Sequence, residues 1–201
     1  NSEDEIQILS TIDSIKSTLE INRAELFKLP YNALVSILSI LGREIMLSEV
    51  LSRLEGSSDI SKWLRRESIN NKLMESFGSI DRIGEFIQAN ELRTLILPRG
   101  IVSHWVAGNV PILVIYSLVQ SVLCRNANFL KIGTQNNKNM MELLNILSNI
   151  QVKCDEKIYS GSVIANSICI VNFDSSNYSF STKFSEIADV RLVWGGQEAV
   201  E

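Results

Sequence analysis

Apolar positions recur at three- and four-residue intervals through the first part of the chain, as they do in helices that bury one face. Ile6, Ile8, Leu9, Ile12, Ile15 and Leu19 set this period over 6–19, and Pro30 then interrupts it. The same spacing resumes at Leu34, Ile37, Leu38, Leu41, Ile45, Leu51 and Leu54, which predicts a helix over 34–54. Gly56-Ser57-Ser58-Asp59 reads as a stop followed by a fresh N-cap. Further helices are expected over 60–77 and 81–89.

The pattern changes near Leu92. Thr94 to Leu97 and Ile101 to Val106 are short strand-like runs around the turn signal Pro98-Arg99-Gly100. Pro111 to Cys124 reads as a buried helix that starts on proline, where a missing N–H costs nothing. Asn128 to Ile132 is a strand, Lys138 to Ile150 a helix, Ser167 to Phe173 a strand, Ser181 to Ile187 a short helix and Val190 to Trp194 a strand. Strand and helix alternate, which predicts an α/β fold: a parallel Rossmann-type sheet with crossover helices, preceded by an N-terminal helical segment. Such doubly wound sheets take ligands at the carboxyl ends of their strands.

Composition narrows the function classes. With 45% hydrophobic and 21% charged residues, the 201-residue chain has the make-up of a globular domain. A net charge of -4 gives no basic face for nucleic acid. The most apolar stretch, Val110 to Cys124, is about 15 residues long, short of the roughly 20 a membrane span needs. Asn1 to Asp13 is acidic and polar, unlike a signal peptide. Three cysteines at unrelated spacings suggest free thiols in a reducing compartment, hence the cytoplasm. The chain starts at Asn1 and stops just after Trp194-Gly195-Gly196, where a strand hands over to a helix, so it reads as a fragment of a longer polypeptide.

The most informative segment is Pro98 to Pro111. It is a strand ending in small residues, then an amide side chain, then a proline-started helix. Ala107 and Gly108 permit close backbone approach by a ligand. Asn109 at the tip has two readings: its NH2 can donate to a developing oxyanion, or it serves as a helix cap. His104 is the one histidine in the chain. Mid-strand, five residues before Asn109, it reads as a buried, hydrogen-bonded residue rather than a general base.

The run from Gly100 to Asn109 and Pro111 resembles the loop of aldehyde dehydrogenases that reads Gly, seven residues, an aromatic or small residue, Asn, any residue, Pro. The string His104-Trp105-Val106-Ala107-Gly108-Asn109-Val110-Pro111 is similar to the H-x-x-A-G-N-V-P of one branch, the fatty-acid reductase (LuxC) family of acyl-CoA reductases. Ser117-Leu118, Arg125-Asn126 and the run Ala188-Asp189 to Trp194-Gly195-Gly196-Gln197-Glu198-Ala199 also resemble that family's pattern. The resemblance covers about Leu92 to Glu201 by motif and the helical part more loosely. It implies an aldehyde-dehydrogenase-like fold. Residues 1–91 are then expected to form a helical region packed on the cofactor domain. Residues 92–201 are expected to form the dinucleotide-binding region, with the catalytic domain lying beyond.

The resemblance also implies roles. Asn109 matches the amide that shares the oxyanion hole with the N–H of the nucleophilic cysteine. Trp105, Val106, Ala107 and Gly108 match the strand end that lines the cofactor, and Lys131 the lysine that bonds the adenosine ribose. Gly195 and Gly196 match a Gly-Ser pair that opens a helix under the pyrophosphate, here with backbone donors alone. Thr134 stands where NAD-preferring relatives often carry Glu, which points to NADPH. No metal is implied. The expected reaction is NADPH-dependent reduction of a fatty acyl-CoA, or another acyl thioester, to an aldehyde through an acyl-cysteine. An acyl-protein synthetase is an expected partner and a homo-oligomer the expected assembly. Cys124 and Cys169 read as core residues and Cys154 as a loop residue, so the nucleophile is expected downstream. The alternatives are an aldehyde dehydrogenase working in the oxidative direction and a non-catalytic nucleotide-binding or interaction domain.

Overall fold

The computed structural model describes residues 2–78, 82–89, 92–106, 111–174 and 177–194. In chain order the helices are α1 (Ser2–Lys28), α2 (Tyr31–Leu47), α3 (Ser57–Trp63), α4 (Arg66–Phe77), α5 (Pro111–Leu123), α6 (Asn137–Asn149), α7 (Ser162–Asn166) and α8 (Tyr178–Glu186). The strands are β1 (Phe86–Ala89), β2 (Leu92–Leu95), β3 (Ile101–Val106), β4 (Ala127–Lys131), β5 (Gln151–Cys154), β6 (Lys157–Ser160), β7 (Ile168–Val171) and β8 (Val190–Trp194). The chain groups into two interleaved compact units. One contains Asn1–Lys28, Arg99–Lys138 and Val163–Glu201; the other contains Leu29–Pro98 and Asn139–Ser162. No single helix among the described residues is long and apolar enough to cross a membrane.

The first unit is built on a four-stranded sheet in the order β7-β4-β3-β8, with every pairing parallel. Side chains alternate across it, as the strand period requires. Ile101 and Trp105 of β3, Ala127 and Phe129 of β4, and Cys169 and Val171 of β7 share one face. There they pack with Ile12 and Leu19 of α1 and with Phe184 and Ile187 at the end of α8. Phe129 and Phe184 are fully buried with ring centroids 4.3 Å apart. Burying each contributes about 2–3 kcal/mol. The opposite face carries Val102 and His104 of β3 and Asn128 and Leu130 of β4, and α5 lies on that side. Helices on both faces explain why β4 is buried continuously from Ala127 to Leu130 rather than at alternate positions.

The amino-terminal ends of these strands are tied by side chains. Asn126, buried just before β4, accepts the backbone N–H groups of Arg99 (2.7 Å) and Gly100 (3.2 Å) on its Oδ1. The Asp189 carboxylate, just before β8, accepts the N–H of Ile101 at 2.8 Å. Gly100 has φ +123°, a conformation L side chains avoid, and a Cβ there would collide with Asp189. Arg125, also at positive φ and buried, donates from Nη1 to the carbonyl of Leu26 in the last turn of α1 at 2.9 Å. That bond satisfies one of the orphan carbonyls every helix end presents.

In the second unit α2 carries most of the core: Ala33, Leu34, Val35, Ile37, Leu38, Leu41 and Ile45 are all buried. It packs against α3, α4 and β5. Gly42 lets α3 approach closely, since a Cβ there would lie 2.8 Å from Leu64 Cβ. The helix expected over 34–54 stops at Leu47 because the Ser48 hydroxyl takes over. It accepts the N–H of Leu51 (3.2 Å), donates to Glu142 (3.1 Å) and turns the chain into a short 3-10 segment over Leu51–Arg53. The helix expected over 60–77 is two helices. Arg65 is extended (ψ 141°), while the Leu64 carbonyl accepts the Ser39 hydroxyl at 3.0 Å.

The helix expected over 81–89 is a correction of another kind. Gly84 has φ +95° and donates its N–H to the Ile96 carbonyl at 2.7 Å. This closes an antiparallel hairpin of β1 on β2 instead of a helix. The strand expected over 94–97 therefore belongs to that hairpin and not to the parallel sheet. A second hairpin, β5–β6, turns through Asp155 and Glu156, both at positive φ. Asp suits the first place of such a turn, whereas Glu156 stands in the second place, where Gly is usual.

Candidate functional site

The four parallel strands all end at one edge, where open α/β sheets bind ligands. Trp105 near the end of β3 is the register partner of Lys131, the last residue of β4, and Lys131 pairs in turn with Val171, the last residue of β7. The Lys131 ammonium sits 5.3 Å from the centroid of the Trp105 ring and 5.1 Å from that of Phe173. Both distances fall within cation–π range. Partial burial lowers the Lys131 pKa, and Asp174 opposes that shift. Phe173 meets Trp105 edge-on (6.2 Å), and Trp105 meets Phe184 at 5.0 Å. The indole is thus wedged between rings, with its Nε1 buried and lacking a hydrogen-bond partner among the described residues.

Thr134 lies three residues beyond β4, exposed, at the start of a short 3-10 turn. Its hydroxyl is 3.4 Å from Asn172 Oδ1, and Asn172 donates Nδ2 to the Ile132 carbonyl at 2.9 Å. Val106 ends β3 opposite Trp194, the last residue of β8. Of the residues singled out from the sequence, Trp105, Val106, Lys131 and Thr134 therefore gather at or beyond the ends of adjacent strands. Ala107, Gly108, Asn109, Gly195 and Gly196 lie outside the described residues. Asn172, Phe173 and Asp174 were missed by the sequence reading. The rule that ligands gather where parallel strands end would have pointed to them, since they follow β7 directly.

His104 is completely buried. Its Nδ1 is 2.7 Å from the Ser117 hydroxyl on α5, and its Nε2 is 3.0 Å from Asn128 Oδ1 on β4. Burial pushes its pKa down to about 4, against a smaller upward pull from the Asn128 bond, so the ring is neutral at pH 7. A neutral ring with both nitrogens engaged inside the protein is not poised as a general base. The cysteines behave as the sequence suggested for core residues: burial pushes the Cys124 and Cys169 thiols up, away from the reactive thiolate.

The fold is a dehydrogenase-like α/β one. Two solved structures share that fold. Glyceraldehyde-3-phosphate dehydrogenase GapN from Methanocaldococcus jannaschii, complexed with NADP, superposes with a TM-score of 0.57 at 12% identity, covering 92% of this chain and 45% of that one. Gamma-glutamyl phosphate reductase from Saccharomyces cerevisiae gives 0.51 at 13% identity, covering 94% and 52%. The architecture is thus the aldehyde-dehydrogenase-like one.

The family follows from sequence: residues 26–201 match the acyl-CoA reductase (LuxC) model, and the chain belongs to that family. Among curated proteins, the long-chain acyl-protein thioester reductase of Aliivibrio fischeri is 23% identical over 155 residues, which is 77% of this chain and 31% of that protein. The long-chain acyl-protein thioester reductase 2 of Photobacterium leiognathi is 28% identical over 120 residues, 59% of this chain and 23% of that protein. The chain thus spans less than a third of the length of these relatives.

Proposed function

We propose that this chain is the cofactor-binding part of an enzyme that reduces a long-chain acyl thioester to an aldehyde with NADPH, through an acyl-cysteine formed elsewhere in the protein. Family membership supports the reaction class. The observation that carries the site is the Lys131 ammonium held between Trp105 and Phe173 at the carboxyl edge of a parallel sheet. A partly desolvated cation there suits the adenosine ribose and its phosphate. Thr134, exposed and without a carboxylate, leaves that ribose free to carry a 2′-phosphate, which a glutamate would repel. The bound nicotinamide supplies the hydride.

The chain's own residues bind and position. Lys131 and Thr134 hold the adenosine side. Trp105 and Val106 line the strand end, Ala107 and Gly108 admit the ligand to the backbone, and Gly195 and Gly196 offer backbone N–H groups to the pyrophosphate. Asn109 donates its side-chain N–H to the oxyanion that forms when the thiolate adds to the acyl carbonyl. The acyl donor is coenzyme A or an acylated partner protein: the family description names the first, and the relatives' names point to the second. An acyl-protein synthetase partner, a homo-oligomer and a cytoplasmic setting complete the reading.

The test is thioester-dependent NADPH oxidation by the full-length protein, with NADH in parallel. Asn109→Ala is expected to lower the rate about 100-fold or more, as loss of one oxyanion donor does. An unchanged rate would remove Asn109 from the oxyanion hole. A strong NADH preference would overturn the reading of Thr134.

A further inference from the structure

Four hydrogen bonds, three buried and the outermost part-buried, cross the sheet in a single line. Trp194 Nε1 donates to Ser117 Oγ at 3.0 Å. Ser117 Oγ is 2.7 Å from His104 Nδ1, His104 Nε2 is 3.0 Å from Asn128 Oδ1, and Asn128 Nδ2 donates to the Asn126 carbonyl at 3.0 Å. The inner end of the line fixes its direction, because a backbone carbonyl can only accept; the indole N–H at the outer end can only donate, and a hydroxyl has a lone pair to receive it. The carbonyl orients the Asn128 amide with its nitrogen outward, so Asn128 Oδ1 faces His104 and Nε2 must carry the ring proton. Nδ1 is then the acceptor for the Ser117 O–H, and Ser117 keeps a lone pair for Trp194. No link can be reversed without leaving two donors or two acceptors facing each other in a dry interior, where an unmade bond is costly.

The line joins β8, α5, β3 and β4. Its outer end is Trp194, half-buried, the last residue of β8 and the register partner of Val106. It therefore fixes where β8 ends relative to β3, at the edge where the dinucleotide is proposed to bind.

We propose that His104 is a positioning residue. Held as the Nε2–H tautomer, it orients Ser117 to hold the Trp194 indole, and so sets the end of β8 at the edge where the dinucleotide is proposed to bind. This inference rests on the dinucleotide site proposed above. His104 moves no proton in the reaction.

The experiment uses the full-length protein with Trp194→Phe, Ser117→Ala, the double variant and His104→Gln. It measures NADPH dissociation constants by fluorescence, kcat and KM against pH, and Tm. Trp194→Phe keeps the ring and removes only the N–H. It is expected to weaken NADPH binding about fivefold, the worth of one buried hydrogen bond. Ser117→Ala is expected to do the same, and the double variant no more than either alone. The pH profile of kcat should be unchanged in His104→Gln. In 15N spectra, the imidazole signal that disappears in His104→Gln should be that of an Nε2–H tautomer.

Unchanged NADPH binding in variants that fold, with only Tm lowered, would reduce the line to a packing device and overturn the inference. Additive effects of the two single variants, an Nδ1–H signal, or loss of an ionisation from the kcat profile in His104→Gln would each overturn it as well. These outcomes separate it from the functional reading. A wild-type protein that binds NADPH but oxidises none with a thioester defeats the reaction and leaves the positioning role standing. One that binds no NADPH defeats both.

Discussion

The two ends of the parallel sheet are built from different materials. At the amino-terminal ends, backbone N–H groups are gripped by Asn126 and Asp189, and Gly100 takes a conformation that excludes a side chain. At the carboxyl ends a lysine lies among aromatic rings, and the Thr134 hydroxyl makes only a long contact. The first end spends its polar groups on its own backbone. The second sets the Lys131 ammonium against two rings, at the edge where the dinucleotide is proposed to bind.

This contrast gives structural roles to part of the family pattern. Arg125-Asn126 and Ala188-Asp189 act at the amino-terminal ends of the strands, opposite the edge where the dinucleotide is proposed to bind. Asn126 and Asp189 set the start of β3, and Arg125 anchors the end of α1.

The comparison can be broken in four ways. The largest effect is expected from Gly100→Ala, which forces a β-carbon into the Asp189 carboxylate at a positive φ. A loss of about 3 kcal/mol or more, read as a drop in Tm or as insoluble protein, is the expected outcome. A Tm near wild type would mean this end is looser than its geometry indicates.

Acid is the next probe. His104 has its pKa lowered from 6.5 to about 4 in the folded state, so the unfolded chain binds the extra proton first as pH falls. Stability is therefore fully present above about pH 6.5 and is lost as the pH falls toward 4. The loss is about 3 kcal/mol over that window. Denaturant midpoints across it should show the decline, and His104→Gln should flatten it. An equally steep decline in the variant would assign the acid sensitivity to other groups.

Asn126→Ala comes third. It strands two buried N–H donors and is expected to cost about 2 kcal/mol. Asn126→Asp keeps the acceptor and should cost less. Lys131→Met is expected to have the smallest effect on stability, under about 1 kcal/mol, because it gives up two partly exposed cation–π contacts and keeps the packing. Its signature is functional: NADPH should bind about tenfold more weakly. If Lys131→Met lowered Tm as much as Asn126→Ala does, the distinction between the two ends would collapse.

The parallel sheet was legible in the sequence because its signal is strong and local. β3 and β8 match the expected runs residue for residue, and α5 starts on the proline that announces it. What failed in the helical part was the reading of single polar residues. Ser48 ends α2 by bonding the next turn, and the extended Arg65 splits one expected helix into two, while the apolar period runs on through both. Gly84 turned a helical spacing of Ile83, Phe86 and Ile87 into a hairpin. Apolar spacing records which face is buried; it does not record where a hydroxyl or a glycine ends the element. The candidate site followed the same rule. Lys131 and Trp105 were singled out by motif, but Phe173 was not, because its partners come from strands distant in sequence. The buried state of His104 was legible from its mid-strand position, whereas the direction of its hydrogen bonds needed Trp194 and Asn126.

The interleaving of the two units has a consequence for synthesis. α1 leaves the ribosome before the elements that cover it: the rings on its apolar face include Phe129 and Phe184, made far later. β3 likewise waits for β8, since Ile101 and its partner Asp189 are 88 positions apart. Until β8 emerges, the nascent chain holds an unpaired strand edge and an uncovered helix together, the combination most prone to premature association. Early holding chaperones should therefore favour α1, and their release should coincide with the emergence of β8.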